Sequence, residues 1–194
     1  MEAHAQKLAR VLAEAVRIVP YDPAWPQRFR EEMDHLERLF PYPLIRRVEH
    51  FGSTAIPGLS AKPIIDMLIE VPDLNETRRV IPTVLEAEGY DYFWRPTSGS
   101  NTPPFYAWFI RRDSRTGART HHLHMVEPHF VQHWDRLLFR DYLISHPALA
   151  EEYERLKRRL ATLHTQDRVL YTREKVAFID SVTEAARKDL PNGV

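Results

Sequence analysis

The stretch from Val48 to Glu70, VEHFGSTAIPGLSAKPIIDMLIE, constrains the fold of this chain most strongly. One apolar run ends at Gly52-Ser53 and a second surrounds Asp66, which predicts two strands joined by a turn and a short helix. A Gly-Ser pair where a strand passes into a helix offers backbone N–H groups and a hydroxyl to an anion. An acid on the next strand could then hold a divalent metal against that anion. The stretch therefore predicts a phosphate and metal site.

Residue alternation divides the second predicted strand, 63–71, into a core face and a candidate site face. The core face carries Ile65, Met67, Ile69 and Val71, and the other face carries Ile64, Asp66, Leu68 and Glu70. Burying an unpaired carboxylate is costly, so Asp66 should either bind a metal or pair with an arginine such as Arg111. Glu70 lies roughly 13 Å along the strand from Asp66, too far to share one ion with it.

A second group of candidate ligands lies in the run His121-His122-Leu123-His124-Met125. In a strand, the side chains of His122 and His124 point to one face with Cα atoms roughly 7 Å apart, while Leu123 and Met125 face the core. His121 shares the apolar face and is expected to be structural. The pair His122 and His124 could bind one metal ion or one phosphate, although hydrogen-bonded strand histidines are the common alternative.

Further candidates for phosphate binding and for proton transfer surround these two motifs. For phosphate we expect Gly52, Ser53 and Thr54 at the turn, with Lys62, Arg111, Arg112 and Arg140 as cations. An ion pair with Asp141 on a helix surface is the alternative for Arg140. Glu49 or His50 could act as a general base, and the alternation of the first strand leaves open which of them points into the site.

The remaining patterns predict one α/β (α+β) domain, 1–194, with N-terminal helices and a proline-rich arm (1–43), a mixed sheet of about five strands (44–126) and C-terminal helices (127–194). The predicted strands are Leu44–Phe51, Pro63–Val71, Tyr90–Trp94, a central strand Phe105–Arg112, and Arg119–Val126. The predicted helices are 4–17, one ending before Pro41, Leu74–Ala87, Phe130–Ile144, Leu149–Leu163 and Thr172–Lys188. The polar segment Pro96–Pro104 predicts a mobile loop over a site.

Composition narrows the class of ligand. Lysine and arginine (27) balance aspartate and glutamate (27), so no overall field favours nucleic acid or an anionic membrane, although local charge can bind a small anion. The absence of cysteine excludes disulfides, thiolate metal sites and a cysteine nucleophile. The N-terminus lacks the apolar run of a secretory signal and no stretch approaches a membrane span, so we expect a cytoplasmic protein.

Four runs together resemble the GrpB family: PYDPAWPQRFREE, VEHFGSTAIPGLSAKPIIDMLI, HHLHMV and WDRLLFRDYLISHPALAEEYERLK. The resemblance covers about Ile18 to Phe178. That family is similar in fold to the DNA polymerase beta type of nucleotidyltransferase, and related sequences occur joined to dephospho-CoA kinase domains. The resemblance implies a mixed sheet in which Gly52-Ser53 binds a nucleotide phosphate and Asp66 helps to bind a metal.

The chain departs from the superfamily pattern at the metal. There the Gly-Ser turn is followed by two acids separated by one residue, with a third acid on a later strand. Here Leu68 stands at the second position, and the later strand offers His122 and His124. A leucine cannot ligate either of two ions, so the departure brings the usual two-metal mechanism into question.

Three functions remain open from the sequence. The leading expectation is a nucleotidyltransferase that moves a nucleoside monophosphate from a nucleoside triphosphate to a small acceptor, with Mg or Mn, or Zn, as its divalent ion. One alternative is a non-catalytic nucleotide-binding module, favoured by Leu68. The other is a single-metal hydrolase that uses Asp66, His122 and His124.

Overall fold

One mixed five-stranded sheet organises the protein, for which a computed structural model describes residues 4–97 and 102–190. The strands are β1 (Arg47–Phe51), β2 (Ile65–Glu70), β3 (Asp91–Pro96), β4 (Phe105–Arg112) and β5 (Arg119–Val126). Their order is β1-β2-β5-β4-β3, and only the central β2–β5 pairing is parallel. The expected mixed sheet of about five strands, with β4 in its interior, is confirmed.

Helices lie on both faces and at both ends of the sheet. They are α1 (His4–Ala13), α2 (Trp25–Leu39), α3 (Leu74–Ala87), α4 (Val131–Ser145), α5 (Pro147–Leu163), α6 (Arg168–Arg173) and α7 (Val176–Asp189), with a 3₁₀ turn at Ser53–Ala55. The local sequence determines where α3 begins. Asp73 caps this helix by accepting hydrogen bonds from the N–H groups of Asn75 and Glu76. None of the helices in the described ranges is long and apolar enough to cross a membrane.

The two faces of the sheet have different environments. On the core face, Met67, Phe109 and Leu123 are fully buried beneath α2 and α3. On the opposite face, which we call the site face, Leu68 and Trp108 pack with Val11, which belongs to α1, and with residues of α4. Register places Asp66 and His122 on the same site face, next to each other on β2 and β5.

The C-terminal helices pack against the segment that follows the Gly-Ser turn. Ile56 and Leu59 share a buried cluster with Phe139 of α4, Tyr153 of α5 and Val182 of α7. This packing brings the C-terminal third of the chain against the stretch between β1 and β2. Arg168 of α6, and Lys175 between α6 and α7, therefore reach the region of Asp66, although they are about one hundred positions distant in sequence.

Some predicted boundaries are wrong. The first helix ends at Ala13 rather than at residue 17, and the first strand begins at Arg47 rather than at Leu44. The predicted last helix, from Thr172, is two helices that meet at Glu174 and Lys175. The predicted loop 96–104 falls partly outside the described residues, as do the side chains of two leucines on the first helix, Leu8 and Leu12.

Candidate functional site

Asp66, His122 and His124 converge on the site face. The parallel pairing of β2 with β5 makes Asp66 and His122 register partners, and Nδ1 of His122 lies 3.0 Å from Oδ1 of Asp66. One potential ligand atom from each of the three side chains lies within 4.8 Å of the other two. The histidines are buried, whereas the side chain of Asp66 is 29% exposed. A small ligand can therefore reach the carboxylate.

Both histidines are held neutral. Burial lowers the pKa of His122 to about 4, although its hydrogen bond to Asp66 opposes the shift. Burial and the charge of Arg136 place the pKa of His124 well below its usual value. Burial favours a raised pKa for Asp66, but the hydrogen bond from His122 and the charges nearby lower it overall. A carboxylate and two neutral imidazoles are the protonation states that metal ligation requires.

The cluster fits a divalent metal by its donor chemistry. Two imidazoles and one carboxylate are a ligand set of zinc and of non-haem iron. Nε2 of His122 is buried and has no hydrogen-bond partner among the residues that the structure describes. Aromatic rings hold both histidines, because His122 lies against Trp108 and His124 lies against Phe51, each at 5.2 Å between ring centroids.

Arg136 of α4 constrains the way in which His124 could bind a metal. Its Nη1 lies 3.2 Å from Nδ1 of His124 and donates to the lone pair of that nitrogen. Its guanidinium also lies over the ring of Phe51, 5.3 Å from the ring centroid, which is close enough for a cation–π contact. A metal bound through Nδ1 of His124 requires Arg136 to move, whereas His122 and Asp66 need no such change.

The Gly-Ser turn lies directly against the Asp66 carboxylate. Gly52 has a φ of +74°, and a Cβ added there would lie 2.7 Å from Oδ2 of Asp66. Ser53 is partly exposed, and its side chain is hydrogen-bonded with the hydroxyl of Tyr153. Thr54 is buried, and its hydroxyl donates to the carbonyl of Ile64 at 3.2 Å. Ser53 is therefore the more accessible of the two predicted hydroxyls.

A group of cations surrounds Asp66. The ammonium groups of Lys62 and Lys175 lie 5.2 and 4.4 Å from the centroid of the Tyr171 ring. Burial, with the charges of Lys175 and Arg168, lowers the pKa of Lys62 well below its usual value. Burial likewise lowers the pKa of Lys175 to about 8, with Asp66 opposing and Arg168 adding to the shift. A bound polyanion would relieve the repulsion among these cations.

Sequence reasoning identified Lys62 but missed Lys175, Arg168 and Arg136. Each of these lies in a helical stretch rich in charge, where a solvated surface position is the ordinary expectation. The signal that distinguishes them is the packing of α4, α6 and α7 against the turn. That packing is not visible in the linear pattern.

The two predicted bases lie on opposite faces. Glu49 lies on the site face and accepts hydrogen bonds from Arg47 and Arg140, each at 2.9 Å. Burial favours a higher pKa for Glu49, but these two arginines lower it. His50 lies on the core face, where it stacks on Phe29 with ring centroids 4.9 Å apart. Burial lowers the pKa of His50 to about 4.

The three predicted phosphate-binding arginines are engaged elsewhere. Arg140 donates to Glu49, to the carbonyl of His50 and to Asp141. The ion pair with Asp141, which is the alternative to phosphate binding by Arg140, is therefore present. Arg112 donates to Asp91 and Glu14 at 2.9 and 2.6 Å.

Arg111 lies on the core face, where it pairs with the buried Glu32 and lies over the ring of Tyr90. The suggested pairing of Arg111 with Asp66 is therefore wrong, because strand alternation and the register with β5 direct the two side chains to opposite faces.

Leu68 occupies the position where the superfamily pattern places a second acid. It is 0% exposed and belongs to the buried cluster of Phe51, Trp108 and Leu137. The position is part of the apolar packing beneath α4, rather than an open coordination position.

Comparisons with known proteins agree on one family. The family described as "GrpB protein" matches residues 15–185 of the chain. The UPF0157 protein PA4798 of Pseudomonas aeruginosa is 40% identical over 84% of this chain, and the chain spans less than two thirds of that protein, 64%. The glutamate-rich protein GrpB of Alkalihalophilus pseudofirmus is 34% identical, with 86% of this chain and 93% of that protein covered.

A solved structure has the same fold. The crystal structure of conserved protein GrpB from Enterococcus faecalis superposes with a TM-score of 0.75 at 33% identity, covering 89% of this chain and 98% of that chain. A dephospho-CoA kinase of Mycolicibacterium paratuberculosis is 27% identical over 80% of this chain, and the match covers 42% of that protein. A sequence related to this chain thus forms part of a larger protein that is named dephospho-CoA kinase.

Proposed function

The chain belongs to the GrpB family, and from this premise we propose that it is a metal-dependent enzyme that transfers a nucleoside monophosphate from a nucleoside triphosphate to a small acceptor. One observation carries the proposal. Asp66, His122 and His124 offer ligand atoms within 4.8 Å of one another, directly beside the turn at Gly52. A metal-capable cluster next to a Gly-Ser turn and a group of cations fits the handling of a polyphosphate.

In the proposed reaction, a hydroxyl oxygen of the acceptor attacks the α-phosphorus and the bond from that phosphorus to the bridging oxygen breaks. Pyrophosphate leaves, and the proton of the acceptor hydroxyl passes to a base, for which Glu49 is the candidate on the site face. Asp66, His122 and His124 would hold one divalent ion, which when bound supplies Lewis acidity at a phosphoryl oxygen. Lys175 and Arg168, with Lys62 in its protonated form, would neutralise the negative charge that develops on the leaving pyrophosphate.

The cations around Asp66 support a mechanism with one ion. Leu68 fills the place of a second carboxylate, so the proposed site has three protein ligands for one metal. Positive side chains can replace part of the charge that a second ion would provide. Of the two predicted bases, only Glu49 lies on the site face, and it would have to release Arg47 or Arg140 to accept a proton.

The test separates metal binding from turnover. Protein purified without chelator is analysed for metal, and then titrated with Mn, Mg and Zn before assay with each nucleoside triphosphate. Asp66→Asn should weaken metal binding and slow metal-dependent turnover by at least about 100-fold. The matched control is Glu70→Gln, on the same strand and face, which should leave both unchanged. Wild-type turnover in Asp66→Asn would refute the mechanism.

A single-metal hydrolase is the second candidate, because the donor set of one carboxylate and two histidines favours it. Here water replaces the acceptor as nucleophile. Mass spectrometry in 18O-labelled water distinguishes the two: a hydrolase yields labelled product without any acceptor, whereas a transferase yields an unlabelled acceptor adduct. Stabilisation by nucleotide without metal, and with no product of either kind, would instead indicate a non-catalytic binding module.

A further inference from the structure

A cationic cavity of about 500 Å³ adjoins the Asp66 site. Pro63 and Ile64, which precede Asp66 by three and two positions, are part of its wall. Among the described residues that line it, the only acid is Glu14. The positively charged side chains that line it are Arg10, Arg17, Lys62, Arg112, Arg119 and Arg168.

Glu14 lies where three guanidinium groups meet. Its carboxylate is 2.6 Å from Nη1 of Arg112, 2.7 Å from Nε of Arg119 and 3.5 Å from Nη1 of Arg168. Burial favours a raised pKa for Glu14, but its hydrogen bonds with Arg112 and Arg119 lower the pKa overall. One carboxylate is thus held by three arginines, an arrangement that also suits a phosphate.

The cavity supplies more donors than Glu14 uses. Arg119 also donates to the carbonyl of Val11, and Arg112 also donates to Asp91. Nη2 of Arg112 is nevertheless buried without a hydrogen-bond partner in the part of the chain that the structure describes. Asp91 is shared in turn, because Arg10 donates to it at 2.7 Å. Glu14 and Asp91 therefore each accept from more than one arginine, and Lys62 adds a further hydrogen-bond donor to the cavity.

We propose that this cavity binds the acidic group, a phosphate or a carboxylate, of the small acceptor, and that this group displaces Glu14 from Arg112, Arg119 and Arg168. The assignment to the acceptor rests on the proposed transferase function, whereas the binding of an anion does not. Lys62 lines the cavity and also lies beside Asp66, so a molecule held here extends towards the metal cluster. The acceptor class is consequently a small acid.

Displacement of Glu14 is a local change. Val16, two positions further on, is buried, and its N–H donates to the carbonyl of Thr165 at 2.7 Å. Ala15 between them is exposed. The chain is therefore fixed at Val16, while the carboxylate can leave the arginines without disturbing the sheet.

The experiment is a calorimetric titration with inorganic phosphate and, separately, with succinate. It is carried out without nucleotide and at constant ionic strength, on protein that has been stripped of metal and then freed of chelator, because EDTA is itself a polycarboxylate. Glu14→Gln removes the competing carboxylate and should bind the preferred anion about tenfold more tightly than the wild type. The control Glu151→Gln removes the same charge from an exposed pair with Arg155 and should bind as the wild type does.

Two further variants locate the anion. Arg17 is exposed and lines the cavity, so Arg17→Gln should fold and should weaken binding. Lys175 lies beside Asp66 but does not line the cavity, so Lys175→Gln should weaken binding less than Arg17→Gln does. Should Glu14→Gln fail to fold, the comparison of Arg17→Gln with Lys175→Gln decides the proposal.

Equal affinity in Glu14→Gln, Glu151→Gln and the wild type would overturn the proposal. A loss in Lys175→Gln without a loss in Arg17→Gln would also overturn it, because the anion would then belong to the metal site. A response to phosphate alone or to succinate alone supports the site and identifies the acidic group. Because metal and nucleotide are absent, failure of the transferase activity leaves this result intact.

Discussion

Gly52 and Asp66 lie so close together that a side chain at position 52 would meet the Asp66 carboxylate. A Cβ at this position would be 2.7 Å from Oδ2 of Asp66, and the backbone there has φ +74° and ψ −173°. Both the space and the backbone conformation therefore require glycine. Glycine at position 52 therefore allows the turn to pack directly against the Asp66 carboxylate.

Replacing Gly52 with alanine should damage both stability and the site. The conformation is one that essentially only glycine adopts, so we expect a loss of about 1–3 kcal/mol in the free energy of unfolding. The new methyl group should also displace the Asp66 carboxylate and weaken metal binding. Urea denaturation measures the first effect and calorimetric titration with Mn or Zn measures the second.

The control for this variant is Gly58→Ala. Gly58 also has a positive φ, +79°, but among the described residues beyond its two chain neighbours no heavy atom lies within 4 Å of the position of its Cβ. It should lose stability through backbone strain and keep its metal affinity. Equal metal affinity in the two variants would show that contact between position 52 and Asp66 does not control the site.

Replacing Leu68 with aspartate should destabilise the fold rather than complete a two-metal site. Leu68 is fully buried among Phe51, Trp108 and Leu137. An unpaired carboxylate there should cost several kcal/mol, at the upper end of about 0.5–5 kcal/mol for single substitutions. Urea denaturation beside the control Leu68→Met, which keeps the volume, measures this. A stable Leu68→Asp protein that binds two metal ions would contradict the prediction.

Strand alternation explains how much of the site was predictable. The period of two in IIDMLI and HHLHMV determines which side chains of each strand share a face. Because β2 and β5 are neighbours in the sheet, this alternation brings Asp66 together with His122 and His124. Their parallel pairing was not predictable from these runs. It depends on β5 entering the sheet between β2 and β4, which is a property of the whole chain.

The positions of the cationic side chains could not be predicted from strand alternation alone. Arg111 and Arg112 are adjacent in sequence, and the register of β4 with β5 shifts between them. Arg111 reaches Glu32 on the core face, whereas Arg112 reaches Asp91 and Glu14. Lys175 reaches Asp66 only through the packing of distant helices, which no local pattern encodes.

Arg111→Met tests whether Arg111 is structural. Glu32 is completely buried and is contacted by Arg111 and by the hydroxyl of Tyr90. Removing one partner of a fully buried pair costs about 3–5 kcal/mol, since the other charge is left uncompensated, and we expect a loss at the lower end of this range because the side chain of Arg111 is 39% exposed. We expect that loss in urea denaturation, with metal affinity unchanged.

The double variant Arg111→Met with Glu32→Gln supplies the control, because it removes the stranded charge together with its partner. It should recover most of the lost stability. Weaker nucleotide binding in Arg111→Met without a loss of stability would instead support the phosphate-binding role that the sequence suggested for Arg111.

Lys157 should give the protein a dependence of stability on alkaline pH. It is buried on α5, where it donates to the carbonyl of Ser60 and lies 4.9 Å from the centroid of the Tyr153 ring. Burial, with the charge of Lys175, lowers its pKa from 10.5 to about 7, while Glu154 opposes the shift and Arg158 adds to it. Between these two values the unfolded state binds the proton and the folded state does not. The contribution of Lys157 to the free energy of unfolding therefore rises as the pH rises from about 7 towards 10.5.

Lys157→Met should remove this contribution, so the difference between wild type and variant should change steadily between pH 7 and pH 10. Urea denaturation at several pH values across that range measures it, and subtraction cancels the other lysines and the tyrosines, which titrate in both proteins. The control is Lys188→Met, at an exposed position on α7, for which the difference from wild type should stay constant. Parallel curves for Lys157→Met and the wild type would show that Lys157 keeps its ordinary pKa in the folded protein, and hence that the burial of its ammonium group does not oppose the charged form.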